Sequence, residues 1–319
     1  MPRIVIPDDA PPVMASSQAY RGLLERTPVD YHDTLPVSEE TLIERIAGAE
    51  IVINIRSSTR FSENVFDHSP NLRLLSLWGT GTDNVDLTAA AGHGVTVTNT
   101  PGVSALSVAE HALALLLAVA RRIPQLDSEV RRGRWPRGQV SQMHGKTLGI
   151  VGLGAIGRQF ARLAGGIGMR VIAWTMHPDP ELGYDLVSLD DLLRTSDVVS
   201  LHLRLSADTR SFIGKRELEK MRPSAILINT ARGAIVNEEA LVEALAAGRI
   251  AGAGWDVFEA EPLPSGHPLT RLENVVLTPH SAGVTPEALE AGLQLSIENV
   301  WNFLDGRPTH VVVSGDGAR

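Results

Sequence analysis

TLGIVGLGAIGR, Thr147 to Arg158, is the stretch that decides the fold. An apolar run of strand length, TLGIV, breaks at Gly152-x-Gly154-x-x-Gly157 and passes at once into a helical pattern, RQFARLAG (158–165). Glycine at the first position permits a tight turn. At the second it lets backbone come close to an anionic ligand, and at the third it lets helix pack on strand. The helix start then offers free N–H groups to phosphate oxygens. Strand, glycine turn and helix in that order make one half of a doubly wound parallel sheet with a dinucleotide at its edge. Taken alone the spacing is a weak signal in a chain with 29 glycines, where a glycine turn without a ligand reads the same way.

The neighbouring sequence strengthens it. Downstream lie VIAW (171–174), DVVSLHL (197–203), AILINT (225–230), IAGAGWDV (250–257) and VVLTP (275–279), which with TLGIVG give six strand candidates. Helical stretches separate several of them. Upstream, RIVIP (3–7), EIVINI (50–55), LRLLSLW (72–78) and VTVT (95–98) alternate with helical SEETLIERIAG (38–48) and DLTAAAGHG (86–94). Such alternation predicts parallel sheets with helices on their faces. Ser107-Val-Ala-Glu110 spells a capping box, which predicts a helix from there to about Arg122. A final helix over 286–304 precedes the tail THVVV. Turn-formers cluster at NTPGVS (99–104) and SAGVTP (281–286). The expected organisation is α/β with two doubly wound domains, residues 101–284 being inserted into a domain made of 1–100 and 285–319.

Composition narrows the function classes. A net charge of −8, from 29 basic and 37 acidic residues, argues against a nucleic-acid surface or an anionic membrane as partner. The absence of cysteine removes disulfides, thiol nucleophiles and thiolate–zinc sites, and no HExxH pattern occurs, so no metal is expected. MPRIVIPDD does not read as a signal peptide. The longest apolar run, ALALLLAVA (112–120), falls well short of the ~20 residues of a membrane span. A soluble, cytoplasmic protein is expected.

Three residues stand at predicted strand exits, where doubly wound sheets hold their ligands. Arg232 follows AILINTA, Glu261 lies in DVFEAEP, and His280 follows VVLTP. Singly they read equally well as a surface arginine, a solvated carboxylate and a strand-end histidine. Together they read as a site. Adding hydride to a keto carbon requires a proton at the oxygen, which a histidine paired with a carboxylate can supply near neutral pH. Arginine can hold a carboxylate in a planar fork and place positive charge where oxygen becomes negative.

The chain resembles the D-isomer-specific 2-hydroxyacid dehydrogenases over nearly its whole length. The resemblance is carried by GTGTDNVDL (79–87), SVAEHALALLLA (107–118), GKTLGIVGLGAIGR (145–158), LINTARGAIVNEEAL (227–241), AGWDVFEAEPLP (253–264) and TPHSAGVT (278–285). It implies a Rossmann NAD(P) domain inserted into a flavodoxin-like substrate domain. It further implies a homodimer, and a reaction interconverting a small 2-keto acid and a D-2-hydroxy acid. The implied catalytic residues are Arg232 on the carboxylate and carbonyl, His280 as acid and base, and Glu261 paired with it. Arg56, Thr80, Gly81 and Asn84 are implied to seat the substrate. The implied dinucleotide contacts are Gly152, Gly154, Ala155, Ile156 and Gly157, with Ser107, Thr175, His177, Leu203, Arg204, Thr209, Thr230, Ala231 and Asp256. Corepressors of the same fold, which sense a dinucleotide and act through protein contacts, are the competing class.

VIAWTMHPDP (171–180) departs from the family pattern. The second strand of such a domain ordinarily ends in an acid that bonds the adenosine ribose and repels a 2′-phosphate. Thr175 stands there instead, with His177 two residues on and Arg204 after the next strand, so NADP is expected to be tolerated or modestly preferred. Ser58 stands where phosphoglycerate-acting relatives carry a second arginine, which weighs against a phosphorylated substrate.

Overall fold

A computed structural model describes residues 1–315. The chain forms two compact units, one from Met1–Ser104 together with the chain from Thr285 onward, the other from Ala105–Val284. The first unit begins with β1 (Ile4–Ile6), α1 (Gln18–Arg26), β2 (Val29–Tyr31), α2 (Glu39–Ile46) and β3 (Ile51–Asn54). It continues with α3 (Glu63–Asp67), β4 (Leu74–Leu77), α4 (Leu87–Gly92) and β5 (Thr96–Thr98). The second unit opens with α5 (Ala105–Arg121), α6 (Ile123–Arg131), β6 (Thr147–Val151), α7 (Ala155–Gly166), β7 (Arg170–Trp174) and β8 (Asp185–Leu186). Then come α8 (Leu189–Thr195), β9 (Val198–Leu201), α9 (Lys215–Lys220), β10 (Ile226–Asn229), α10 (Glu238–Ala246), β11 (Gly252–Trp255) and β12 (Val275–Leu277). Finally α11 (Pro286–Leu304) and β13 (Val311–Val313) complete the first unit.

Both units are parallel-sheet α/β folds. In the described residues the first sheet runs β13-β5-β4-β3-β1-β2, with β13 antiparallel at the edge. The second runs β12-β11-β10-β9-β6-β7-β8, all parallel. The central strands IVIN, LLSL, VVSL and ILIN are buried at every position, as strands must be when helices cover both faces. In the first unit Val5, Val52, Leu75 and Val97 meet Leu42, Ile46 and Phe66 on one face. Ile4, Ile6, Ile51 and Ile53 meet Leu23, Leu293, Ile297 and Val300 on the other. In the second unit Leu148, Ile150, Val198 and Ile228 pack with Leu115, Leu116 and Phe160. The opposite face packs Val151, Val199 and Leu227 with Leu192, Leu218 and Leu241. Burying each such side chain contributes roughly 1.5–3 kcal/mol. Short polar side chains start the helices, as Ser17, Ser38, Asp86, Asn237 and Thr285 each accept a backbone N–H from the first turn.

Several local expectations need correction. Helix α5 begins at Ala105, so Ser107 sits inside the first turn and the Ser107–Glu110 pair is not its N-terminal box. The second sheet has seven strands among the described residues, since the two-residue β8 joins the six expected. In the first unit α1 and the half-exposed β2 have no counterpart in the apolar pattern read from sequence. The closing THVVV forms strand β13. Most apolar side chains on α5 turn inward, Leu106 being exposed, and further along Ile123, Val130, Trp135 and Val140 are exposed as well.

Candidate active site

A doubly wound sheet binds ligands beyond the carboxyl ends of its strands, where the strand order reverses. In the second unit that point lies between β6 and β9. Gly152 leaves β6 with φ +101, and a Cβ there would collide with the His202 carbonyl leaving β9. A Cβ on Gly157 would strike the Gly152 carbonyl, so α7 packs that closely only because both residues are glycine. Gly154 is the helix N-cap, has no side chain to cap the first turn, and its Cβ direction is open space. Open room before uncapped N–H groups is what a pyrophosphate requires. Ala155 and Ile156 form the first turn of α7. These residues fit a dinucleotide.

The other expected contacts fall at the same strand exits. Thr175 follows β7, and its hydroxyl accepts the His177 N–H at 3.4 Å. His177 and Arg204 are exposed, and Leu203 is half-buried after β9. Thr209 is buried and donates to the Arg204 carbonyl at 2.7 Å, so it shapes that loop from beneath. After β10, Thr230 carries a buried hydroxyl with no hydrogen-bond partner among the described residues. Ala231 donates its N–H to Asn229 Oδ1 at 3.0 Å. Beneath the glycine turn, burial pulls the His202 imidazole down to about 3, so it stays neutral.

Arg232 follows Ala231. Its Nη1 donates to the Ala231 carbonyl at 2.8 Å, and its own carbonyl accepts Asn229 Nδ2 at 3.0 Å. A Cβ on the next residue, Gly233, would collide with the backbone of Phe258 and Glu259. The Arg232 loop thus lies directly against the segment that carries Glu261. His280 Nδ1 meets Glu261 Oε2 at 2.7 Å, while Glu261 Oε1 accepts the Phe258 N–H at 2.9 Å. Burial would raise the Glu261 carboxyl, but the His280 hydrogen bond and charge, the Phe258 N–H and the Arg232 charge outweigh it and hold it below its ordinary value. His280 and Glu261 side chains remain about one-third exposed, at 32% and 34%. With Nδ1 facing Glu261, Nε2 is the ring nitrogen that can meet a substrate oxygen.

His280 also has φ +51, a left-handed backbone that disfavours residues other than glycine. Asp256 holds that turn. Its carbonyl accepts the His280 N–H at 2.7 Å, and its carboxylate accepts the Ser281 and Ala282 N–H groups at 3.0 Å each. Thr278 donates its hydroxyl to the same carboxylate at 2.6 Å, and His111 Nε2 stands 2.9 Å from that hydroxyl oxygen. Burial pushes the Asp256 carboxyl up, yet these donors prevail and it lies below its ordinary value. Sequence reasoning named Asp256 as a dinucleotide contact and passed over Thr278 and His111. One signal was available, since His111 is the polar residue that opens the longest apolar run.

The substrate-seating residues expected in the first unit are described within that unit. Arg56 follows β3 with its Nη2 3.5 Å from the fully buried Asp9, and it also donates to the Pro11 carbonyl. Asn84 directs its amide nitrogen to Asn54 Oδ1 at 3.2 Å and to the Thr59 carbonyl at 2.9 Å. The Thr80 carbonyl accepts Asn99 Nδ2 at 2.9 Å, and Gly81 lies beside it, half-buried. Ser107 is half-buried in the first turn of α5. In the described residues no group of three or more His, Asp or Glu is placed to hold a metal, and no helix is long and apolar enough to cross a membrane.

Comparison with known proteins finds relatives along nearly the whole chain. The pattern of the D-isomer specific 2-hydroxyacid dehydrogenase NAD binding domain matches residues 113–282. A glyoxylate reductase of Korarchaeum cryptofilum is 41% identical over 286 residues, covering 86% of each chain. A D-3-phosphoglycerate dehydrogenase of Archaeoglobus fulgidus is 40% identical over 285 residues, covering 87% of this chain and 54% of that one. Among solved structures, an acyclic imino acid reductase in complex with NADPH and D-Arg superposes with a TM-score of 0.89. It is 32% identical, with 97% of this chain and 100% of that chain covered.

Proposed function

The chain belongs to the D-isomer specific 2-hydroxyacid dehydrogenase family, and within it we propose an NAD(P)H-dependent reductase of small 2-keto acids, able to run in reverse. The observation that carries this reading is the 2.7 Å His280–Glu261 pair on an anchored turn, with the Arg232 charge acting on the same carboxylate. Bound in reduced form at the glycine turn, the dinucleotide supplies hydride. Arg232 holds the substrate carboxylate and polarises the carbonyl oxygen. His280 delivers the proton from Nε2, and Glu261 keeps the ring oriented.

Thr175 repels no 2′-phosphate, while His177 and Arg204 lie exposed after β7 and β9, the two strands that flank β6, so NADPH should serve at least as well as NADH. Exposed Ile123, Val130, Trp135 and Val140 support assembly into a two-fold homodimer, which light scattering at micromolar concentration checks by mass. The decisive assay follows nicotinamide absorbance with glyoxylate, hydroxypyruvate and phenylpyruvate, each with NADH and with NADPH. Turnover of at least one keto acid is expected, and silence with all of them would overturn the reading.

A further inference from the structure

We propose that His111 is a positioning residue for His280, acting through a donor relay that ends on the buried Asp256 carboxylate. The proposal rests on the reading of His280 as the acid. Thr278 has a single hydroxyl proton, and at 2.6 Å that proton goes to Asp256 Oδ1, which can only accept. The 2.9 Å contact between the same hydroxyl and His111 Nε2 must therefore have the imidazole as donor. The relay runs His111 to Thr278 to Asp256, each group donating to the next.

Its far end controls the histidine turn. Asp256 takes the His280 N–H on its carbonyl and the N–H groups of Ser281 and Ala282 on its carboxylate. A left-handed residue other than glycine persists only where such bonds over-determine it. The near end is fixed because His111 projects from α5, whose Ala112, Leu115 and Leu116 are buried in the core. The carboxylate already has three hydrogen-bond donors, and His111 Nε2 also stands 3.5 Å from its Oδ1, so the imidazole adds partial positive charge at the carboxylate's edge and a fixed position for Thr278, two residues before His280. A reacting group displaced by about 1 Å loses on the order of a hundredfold in rate, so a partial loosening of this turn is visible in kcat.

The test compares His111→Leu, which removes the donor, with His111→Gln, which retains an N–H. In the leucine variant kcat should fall about tenfold, a fraction of the cost of a full 1 Å displacement. The keto acid KM and the dinucleotide Kd should stay within about twofold, and glutamine should recover most of the loss, because only placement of the reacting group has changed. Thr278→Val against Thr278→Ser should repeat the pattern and serves if the leucine variant folds poorly. Nitrogen-15 imidazole spectra of the free protein give a readout that needs no substrate. His280 Nδ1 should shift in His111→Leu, while His267, paired with Glu238 at 2.8 Å, should not. An unmoved His280 resonance or an unchanged kcat would overturn the proposal, as would a loss that glutamine does not recover. Failure of the wild type to reduce any keto acid would instead remove the functional reading, leaving the spectra to judge the relay.

Discussion

The two sheets share a plan and treat its critical point in opposite ways. Each reverses its strand order beside its first strand, between β1 and β3 in the first unit and between β6 and β9 in the second. In the second unit Gly152 lets the two strand exits approach closely, and Gly154 leaves open room before the helix. In the first the point is filled by two adjacent buried carboxylates. Asp8 accepts the Ile55 and Arg56 N–H groups at 3.0 and 3.1 Å, joining the exits of β1 and β3. Asp9 accepts the Val13 and Met14 N–H groups, the Tyr31 hydroxyl at 2.8 Å and the Arg56 charge. The difference teaches that topology supplies a crevice, while side chains decide whether it stays available to a ligand or becomes part of the fold.

The sharpest way to break the comparison is to remove charges at the open exits of the second sheet. His280→Ala should lower kcat by about 10²–10⁴-fold, the usual contribution of a positioned acid, while dinucleotide affinity changes little. Arg232→Ala should raise KM and lower kcat together, and lysine should restore only part, because an ammonium cannot reproduce the fork. Steady-state kinetics with tryptophan-fluorescence titration of dinucleotide check both. Near-normal turnover in either alanine variant would refute its assignment.

The matching removal in the first unit should act on stability instead. Asp9→Ala leaves the Val13, Met14 and Tyr31 donors without their acceptor. At ~1–3 kcal/mol for each unsatisfied buried group, partly relieved by water, a loss of about 2–4 kcal/mol is expected. Urea unfolding measures it, and a loss below about 1 kcal/mol would show that this carboxylate does not hold the fold together.

These two carboxylates also show where sequence reading reached its limit. PDD (7–9) reads as an acidic turn, and nothing in its spacing says that both side chains point inward. The glycine turn was legible because steric permission is written in residue type at fixed short intervals. Arg232, Glu261 and His280 were legible because apolar strands end just before or near them. The His111–Thr278 contact joins residues 167 apart in sequence, and no local pattern encodes it. β8 has two residues and β2 three, too short for periodicity to register. Ser107 misled because a capping-box pattern can also lie inside a helix that has already begun.

Within the second unit, smaller changes sharpen the contrast. Thr175→Asp puts a carboxylate at the exit of β7, able to bond ribose hydroxyls and repel a 2′-phosphate. The NADH to NADPH ratio of kcat/KM should move toward NADH by ~1–3 kcal/mol. A wild-type preference for NADH of a hundredfold or more, a gap of about 2.8 kcal/mol at ~1.4 kcal/mol per decade, would remove the basis for this expectation. Gly154→Ala tests the open room directly. Its φ of −75 suits alanine and its Cβ meets nothing, so thermal stability should hold. Dinucleotide Kd should rise about tenfold, or ~1.4 kcal/mol, if phosphates approach that backbone. Unchanged affinity would place the phosphates elsewhere.

The smallest expected effect isolates the His280–Glu261 contact. Glu261 sits below its ordinary value and so remains ionised through the neutral range, facing His280 Nδ1 at 2.7 Å. Keto acid reduction requires the ring to carry the proton it will donate, so the rate falls on the alkaline side as that proton is lost. Glu261→Gln preserves shape and replaces the charge with a neutral amide, which favours the protonated ring less. The alkaline fall of the reduction profile should move to lower pH, and only slightly, because both side chains are one-third exposed and solvent screens the pair. In the reverse direction the ring must accept a proton, so the same substitution should extend activity toward lower pH. Thermal melts supply the sign from the other partner. A carboxyl held low in the fold adds stability above its unfolded value and loses it as pH falls through the lowered one, so acid sensitivity should lessen in the glutamine variant. Matching shifts of both kinetic profiles toward lower pH would establish the coupling, whereas profiles that stay in place would mean the contact orients the ring without affecting its proton.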